Sequence, residues 1–257
     1  MHVDSPGLAT DLALLELQGS TIRDGGDHLV VRSPQNPTYW WGNFLLLARA
    51  VPPDEVPGWV ERFEQEFPGA QHRTFGFTDS DGDYSGWRER GFEVEYEVTL
   101  TTTKVPTWQP MDDEEISIRR LAGGTDWSRA AELGASDLVI GEFEQRRTAA
   151  QEALVDDGRG AWFGAFVGRR LVGKVGVVRL GTRARYQDVV TDDGFRRRGI
   201  AARLVRVAGE WALTSPDVRE LVIVAVKDGP ARGLYERLGF DPAACHVGVE
   251  RGPSRPG

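Results

Sequence analysis

The stretch Tyr186-Gln187-Asp188-Val189-Val190-Thr191-Asp192-Asp193-Gly194-Phe195-Arg196-Arg197-Arg198-Gly199-Ile200-Ala201 decides how this chain is read. Its first six residues carry an aromatic and β-branched side chains and run into Asp-Asp-Gly punctuation, the mark of a strand ending in a turn. From Ile200 onward, Leu204, Val207, Ala208 and Trp211 recur at helical spacing, so one face of a helix is apolar. The arginines and Gly199 therefore sit at a helix N-terminus. There the first amide N–H groups lack intrahelical partners, and the positive end of the helix dipole lies beside them. An anion is the natural guest. Gly199 admits close approach to the backbone, Ala201 keeps the next contact small, and Arg196, Arg197 and Arg198 add fixed positive charge. A pyrophosphate fits such a strand, turn and helix; a solvated arginine cluster beside an ordinary turn glycine is the competing reading.

A second stretch bears on that choice. Leu221-Val222-Ile223-Val224-Ala225-Val226 is a continuous apolar run of strand length, followed by Asp228-Gly229-Pro230 and Ala231-Arg232-Gly233-Leu234-Tyr235-Glu236-Arg237-Leu238-Gly239-Phe240. Pro230 suits a first helical turn and Gly239 a helix stop. Together the two stretches resemble the acyl-CoA-binding half of the Gcn5-related N-acetyltransferase (GNAT) superfamily. Arg196, Gly199 and Ala201 match its Arg/Gln-x-x-Gly-x-Gly/Ala pyrophosphate turn. Ala231, Leu234, Tyr235, Gly239 and Phe240 match its Asn-x-x-Ala-x-x-Leu-Tyr-x-x-x-Gly-Phe segment. Asp228 departs from the family, which usually has asparagine there for a contact to the pantetheine arm.

The resemblance implies an α/β (α+β) fold of the acyl-CoA N-acyltransferase type: a mixed, mostly antiparallel central sheet flanked by helices, splayed after the Tyr186 strand. It implies acetyl-CoA as co-substrate and no metal. The cofactor-binding residues carried over are Arg196, Arg197, Arg198, Gly199, Ile200, Ala201, Asp228 and Tyr235, with main-chain groups of Val189 and Val190 pairing with the pantetheine arm. Tyr235 stands where the family has its general acid, and a phenol near a helix N-terminus can return a proton to a departing thiolate. A tyrosine that only packs is the alternative. For the base, Asp188 on the core strand and Glu142 and Glu144 at the start of a helix are candidates, since burial raises a carboxylate toward neutrality. A water chain or no dedicated base stands beside them.

Composition agrees with a folded enzyme: 257 residues, 40% apolar and 27% charged, can bury a real core in one large or two ordinary domains. No apolar segment is long enough to span a bilayer, and Met1-His2-Val3-Asp4-Ser5-Pro6 lacks the basic and apolar regions of a signal peptide. The expectation is a cytoplasmic protein with no membrane partner. Cys245 is the only cysteine, and His2, His28, His72 and His246 have no ligand-like spacing, which speaks against a disulfide or a metal centre. Residues 1–110 carry 17 acidic and 8 basic side chains, whereas residues 111–257 carry 22 and 23. The acidic first half repels polyanions and argues against nucleic acid, while an amine-bearing small molecule or peptide suits it. A homodimer is left open.

In chain order, the periodicity predicts a helix over Leu8–Leu17, strands at His28–Arg32 and Tyr39–Ala50, a helix over Val56–Phe67 and a strand at His72–Phe77. An acidic loop, a short helix near Gly86–Arg90 and a strand Phe92–Thr102 follow. That strand alternates, with Glu93, Glu95 and Glu97 on one face, which should look at water or a cation. Thr103–Glu115 mixes prolines with a charge run and reads as a linker. Beyond it come a strand Ile116–Leu121, helices over Trp127–Leu133 and Glu142–Val155 separated by a loop at Asp137–Gly141, and strands Ala161–Val167 and Leu171–Leu180. The tail after Arg251 is Gly-, Pro- and Ser-rich and should fray.

The first half echoes the second: strand, helix, strand, short helix, Gly-Phe, strand. Aligning Gly91-Phe92 with Gly239-Phe240 lays Trp87-Arg88-Glu89-Arg90 over Tyr235-Glu236-Arg237-Leu238, a faint internal repeat. The phosphate turn does not repeat, because its counterpart is Val51-Pro52-Pro53-Asp54-Glu55, where prolines remove N–H donors and the carboxylates repel phosphate. The division expected is a degenerate GNAT-like domain over 1–105, a linker over 106–115 and a CoA-binding GNAT domain over 116–257. Two functions follow: an N-acetyltransferase in which a primary amine attacks acetyl-CoA directly, or a non-catalytic acyl-CoA-binding protein, a sensor or a structural binder.

Overall fold

The computed structural model describes residues 1–107, 115–133 and 141–253. Most of the expected linker, the greater part of the Asp137–Gly141 loop and the end of the tail lie outside the described residues. By its internal contacts the chain forms two compact units, and the division is not a single cut: the first comprises Met1–Thr99, Ala225–Pro230 and Ala243–Gly257, the second Leu100–Val224 and Ala231–Pro242.

In the first unit, α1 (Pro6–Leu17) starts at Ser5, whose hydroxyl accepts from the Leu8 N–H at 3.5 Å, with proline in the first turn. β1 (Thr21–Asp24), β2 (His28–Arg32) and β3 (Phe44–Leu47) form an antiparallel meander. α2 (Val56–Glu66) then crosses to β4 (Arg73–Phe77), which pairs parallel with β3. A short α3 (Ser85–Arg88) leads into β5 (Glu93–Thr102). On β3, Leu45 and Leu47 join Phe63, Phe75, Phe77 and Trp87 on the α2 side, while Phe44 and Leu46 join Leu8, Leu15, Leu29 and Val31 under α1. Burial on both faces is why this strand reads as an uninterrupted apolar run rather than an alternation.

The second unit begins with β6 (Ile116–Arg120), α4 (Gly123–Glu132) and α5 (Glu142–Asp156). β7 (Gly160–Val167), β8 (Arg170–Leu180) and β9 (Arg183–Thr191) extend an antiparallel sheet from β6. α6 (Ile200–Leu213) then leads to β10 (Glu220–Val226), parallel to β9, followed by α7 (Pro230–Arg237). The last strand, β11 (Asp241–Arg251), pairs antiparallel with β4 and places Val247 and Val249 in the core of the first unit. In each unit the strands pair mostly antiparallel and are flanked by helices, the fold class expected.

The repeat survives at atomic detail. Phe92 and Phe240 N–H donate to Trp87 and Tyr235 O, both at 3.1 Å, and Arg90 and Leu238 N–H donate to the same carbonyls, both at 3.0 Å. Gly91 and Gly239 close the two motifs in the left-handed region, with φ 74° and 93°.

The segment Tyr39–Ala50 is not one strand. Asn43 ties it down: its Oδ1 accepts from Ser33 N–H at 3.0 Å and its Nδ2 donates to Asn36 and Tyr39 carbonyls at 3.0 and 2.9 Å. These bonds favour a 3-10 turn at Trp40–Gly42 over a ladder, and the strand is shortened to Phe44–Leu47. β1 and β11 carry weak local signals and were not anticipated. β11 also changes the reading of the glutamate face, because half-buried Glu250 joins Glu93, Glu95 and Glu97 there, and His246 Nε2 meets Glu97 at 3.0 Å.

Candidate active site

The site grows from the seam between β9 and α6. Tyr186 is fully buried on β9 and its hydroxyl donates to Val205 O at 2.9 Å, which fixes the helix against the strand. After Thr191, Asp192 Oδ1 accepts from Gly194 N–H at 2.9 Å and turns the chain through a 3-10 segment, Asp193–Phe195. Arg170 and Arg198 lie over the Phe195 ring, 5.0 and 5.3 Å from its centroid. The chain then passes through two left-handed residues, Arg197 at φ 64° and Gly199 at φ 71°, before α6 begins.

Left-handed residues between right-handed or extended ones make successive amides converge into an anion-binding concavity. Gly199 adopts that geometry freely; Arg197 does so at a cost of about 1–2 kcal/mol. The concavity opens onto the first amides of α6, at Ile200 and Ala201. Arg196 is exposed and pairs with Asp193 at 2.5 Å, and Arg198 pairs with Glu115 at 3.0 Å. Such exposed pairs are worth about 0–1 kcal/mol, so both guanidinium groups can turn to a polyphosphate. The structure thus places Arg196, Arg197, Arg198, Gly199, Ile200 and Ala201 together at the start of α6.

Beside this turn the sheet opens. The β9–β10 ladder runs over three pairs only, Glu220–Arg183, Leu221–Ala184 and Val222–Arg185. Beyond Arg185, β9 continues against β8 through half-buried Val189 and Val190, past the end of its ladder with β10. A bulge sits at the same place: Gly176 pairs with Gln187 and Lys174 with Val190, so Asp188 and Val189 together oppose Val175. Asp188 adopts φ 51° there.

Tyr235 on α7 is 4% exposed and stacks at a tilt against Phe240 with centroids 6.3 Å apart. Burial pushes its phenol up to about 12, with Arg185 opposing the shift. It is therefore protonated at neutral pH, the state a general acid needs. Asp228 is exposed in the turn ahead of α7.

Glu142 and Glu144 lie in the first turn of α5, as expected. Glu142 is mostly exposed and pairs with Arg146 at 3.0 Å, while Glu144 is less exposed and pairs with Arg147 at 3.3 Å. Arg147 also bonds Asp188 Oδ1, and Gln151 Nε2 donates to Asp188 Oδ2 at 2.7 Å. Next to them Lys174 is buried on β8, its ammonium donating to Ala130 O, and burial, aided by Arg147, lowers it to about 8. Arg147, Gln151 and Lys174 were not among the residues expected. Their signals were present: Glu144, Arg147 and Gln151 share one helical face, and Lys174 is a lone charge between Leu171 and Val178.

Among the described residues no group of three or more His, Cys, Asp or Glu side chains is placed to hold a metal ion, and no helix is long and apolar enough to cross a membrane.

No curated protein sequence matches the chain. The fold is similar to that of a conserved protein of unknown function from Staphylococcus epidermidis, with TM-score 0.72, 12% identity and coverage of 98% of this chain and 96% of the other. It is similar also to a GCN5-related N-acetyltransferase from Kribbella flavida, with TM-score 0.64, 17% identity and 98% coverage of both chains. A tandem GNAT protein from the clavulanic acid biosynthesis pathway superimposes with TM-score 0.57 at 15% identity, covering 98% of this chain and 97% of its own. Residues 127–240 match the model of the acetyltransferase (GNAT) family, a span that holds the β9 bulge, the arginine turn and Tyr235. The chain thus carries, over residues 127–240, a domain that matches the GNAT family, and the likeness to these solved structures extends the fold over the rest.

Proposed function

We propose that the protein transfers an acetyl group from acetyl-CoA to a primary amine on a small molecule or peptide. One observation carries the reading: the β9–β10 ladder stops after Arg185 beside a helix N-terminus whose approach runs through left-handed Arg197 and Gly199. An opened strand edge offers main-chain partners to an amide-bearing arm, and the adjacent concavity offers amides and guanidinium groups to its phosphates. Acetyl-CoA supplies the acyl group as a thioester, activated toward a neutral amine.

In this reading Arg196, Arg197 and Arg198, with the amides of Gly199, Ile200 and Ala201, hold the pyrophosphate. Val189 and Val190 align the pantetheine arm through their main chain, with exposed Asp228 as a further contact. Tyr235 returns a proton to the thiolate as it leaves. Lifting the proton from the amine is assigned to Glu144, Glu142 or water, since the Asp188 oxygens are already engaged.

The first unit repeats the scaffold without the phosphate turn. At the corresponding place a cavity of about 680 Å³ is lined by Asp27, Arg49, Pro52, Glu55 and Trp59, and Asp27 is held below the usual carboxylate range chiefly by its hydrogen bond to His28. We therefore assign one CoA per chain, in the second unit.

The test is calorimetric titration of the full chain with acetyl-CoA and with CoA, beside an Arg196→Glu/Gly199→Glu double variant. Binding at one site that the double variant loses supports the reading. A folded wild-type protein that binds neither compound overturns it.

A further inference from the structure

Asp188 occupies the first position of the β9 bulge in the left-handed region, where glycine is the least strained residue. A carboxylate at such a position asks for a reason. Its two oxygens are both taken, Oδ1 by Arg147 and Oδ2 by Gln151 at 2.7 Å, and the side chain is 10% exposed. The two donors lie on the same face of α5, and Arg147 is itself braced by Glu144 at 3.3 Å. A base that accepts a proton from an amine needs an oxygen turned to that amine. Here both oxygens point to α5. The same bonds tie the bulge to a helix and so fix the direction in which the next residues, Val189 and Val190, present their main chain.

We propose that Asp188 is a positioning residue and not the general base: the Arg147–Asp188–Gln151 clamp holds the bulge in the shape that aims the Val189 and Val190 main chain into the opening beside β10. The inference rests on the acetyl-CoA reading for its kinetic consequence, but not for its structural one. When the clamp is released, the bulge can slip by a residue, which turns the following side chains to the other face and withdraws the main-chain partners.

Three variants of the full chain test it. Asp188→Asn keeps the size of the side chain and weakens the bond to Arg147. Asp188→Gly suits the left-handed backbone better but has no carboxylate. Arg147→Met removes the other half of the clamp. In each, the dissociation constant and KM for acetyl-CoA should rise about tenfold, the loss expected for one charge-assisted hydrogen bond, while kcat falls less and the pH profile of kcat keeps its shape. Independently of any ligand, hydrogen exchange at the amides of Val189 and Val190 should quicken in all three.

Asp188→Asn with unchanged acetyl-CoA affinity, a kcat reduced a hundredfold and a lost acidic limb of the pH profile would make Asp188 the base and overturn the clamp. An Asp188→Gly protein equal to the wild type in affinity and exchange would show that the carboxylate has no role. A wild-type protein without CoA affinity defeats the functional reading alone, and the exchange measurement then still decides the clamp: unchanged rates overturn it.

Discussion

Burial raises the Tyr235 phenol to about 12, so its proton is present throughout the neutral range and its loss does not shape the pH dependence of turnover below that value. Tyr235→Phe should therefore lower kcat by about a hundredfold at every pH from 6 to 9, with acetyl-CoA affinity kept, as steady-state rates and calorimetry would check. A uniform drop marks a lost proton donor, whereas a drop in affinity would make the residue part of the packing. Glu250 in the first unit is shifted in the same direction, with a consequence for stability. Burial raises its pKa, and Glu93, Glu95 and Glu97 add to the shift. A carboxyl whose folded pKa lies above its unfolded value binds more protons folded than unfolded, so its stabilising contribution is full below the unfolded pKa and is lost as pH rises through the folded one. Glu250→Gln keeps an oxygen to accept from Trp41 Nε1, now at 3.0 Å, and removes the charge. It should raise stability by up to about 1 kcal/mol at pH 7, with the gain vanishing as pH falls through the carboxylate range in thermal melts. Both residues could be named from the sequence, Tyr235 by its segment and Glu250 merely as a charge. Their titration could not, because it depends on what covers them.

At the scale of elements, the seam between β9 and α6 is built on a close approach. A Cβ on Gly209 would stand 2.5 Å from the Tyr186 hydroxyl and 2.8 Å from Pro106 Cδ. Neither group is the far end of a flexible chain. Gly209→Ala should cost about 1–3 kcal/mol in denaturant unfolding, because the helix must move off the strand, and it should weaken acetyl-CoA binding with it, since the arginine turn starts that helix. A Gly209→Ala protein as stable as the wild type would mean that the seam relaxes at no cost. The helix itself was legible from Ile200, Leu204 and Ala208, which alternate at its own period and are all buried. The bulge one element earlier was not. Nothing in Gln187-Asp188-Val189-Val190 separates a regular strand from one with a left-handed aspartate, because the donors that hold Asp188 come from α5, about forty residues earlier in the chain. Sequence periodicity also overran at Tyr39–Ala50, where Asn43 side-chain bonds compete with the strand.

On the scale of the whole molecule, the chain returns at its end to where it began. β11 supplies β4 with its antiparallel partner, and Val247 and Val249 are fully buried in the first unit's core. Deleting residues 241–257 should therefore weaken the N-terminal part of the protein, with amide exchange quickening across Arg73–Phe77; unchanged protection there would refute it. Removing the two valines alone forfeits about 1.5–3 kcal/mol each, and β4 is left with an open edge. What the sequence by itself determined is local: helices set by apolar spacing, stops set by Gly19, Gly69, Gly91 and Gly239, the arginine turn at a helix N-terminus, and the repeated turn that ends in Gly-Phe. Each rests on interactions within a few residues of chain, which composition and spacing express directly. The tertiary structure alone decided which strand lies beside β4, how far β9 and β10 stay paired, why an aspartate sits in a bulge, and why a lysine is buried on β8. Those outcomes depend on contacts between segments far apart in the chain, and a strand's own residues encode its pleat and its burial but not the identity of its neighbour.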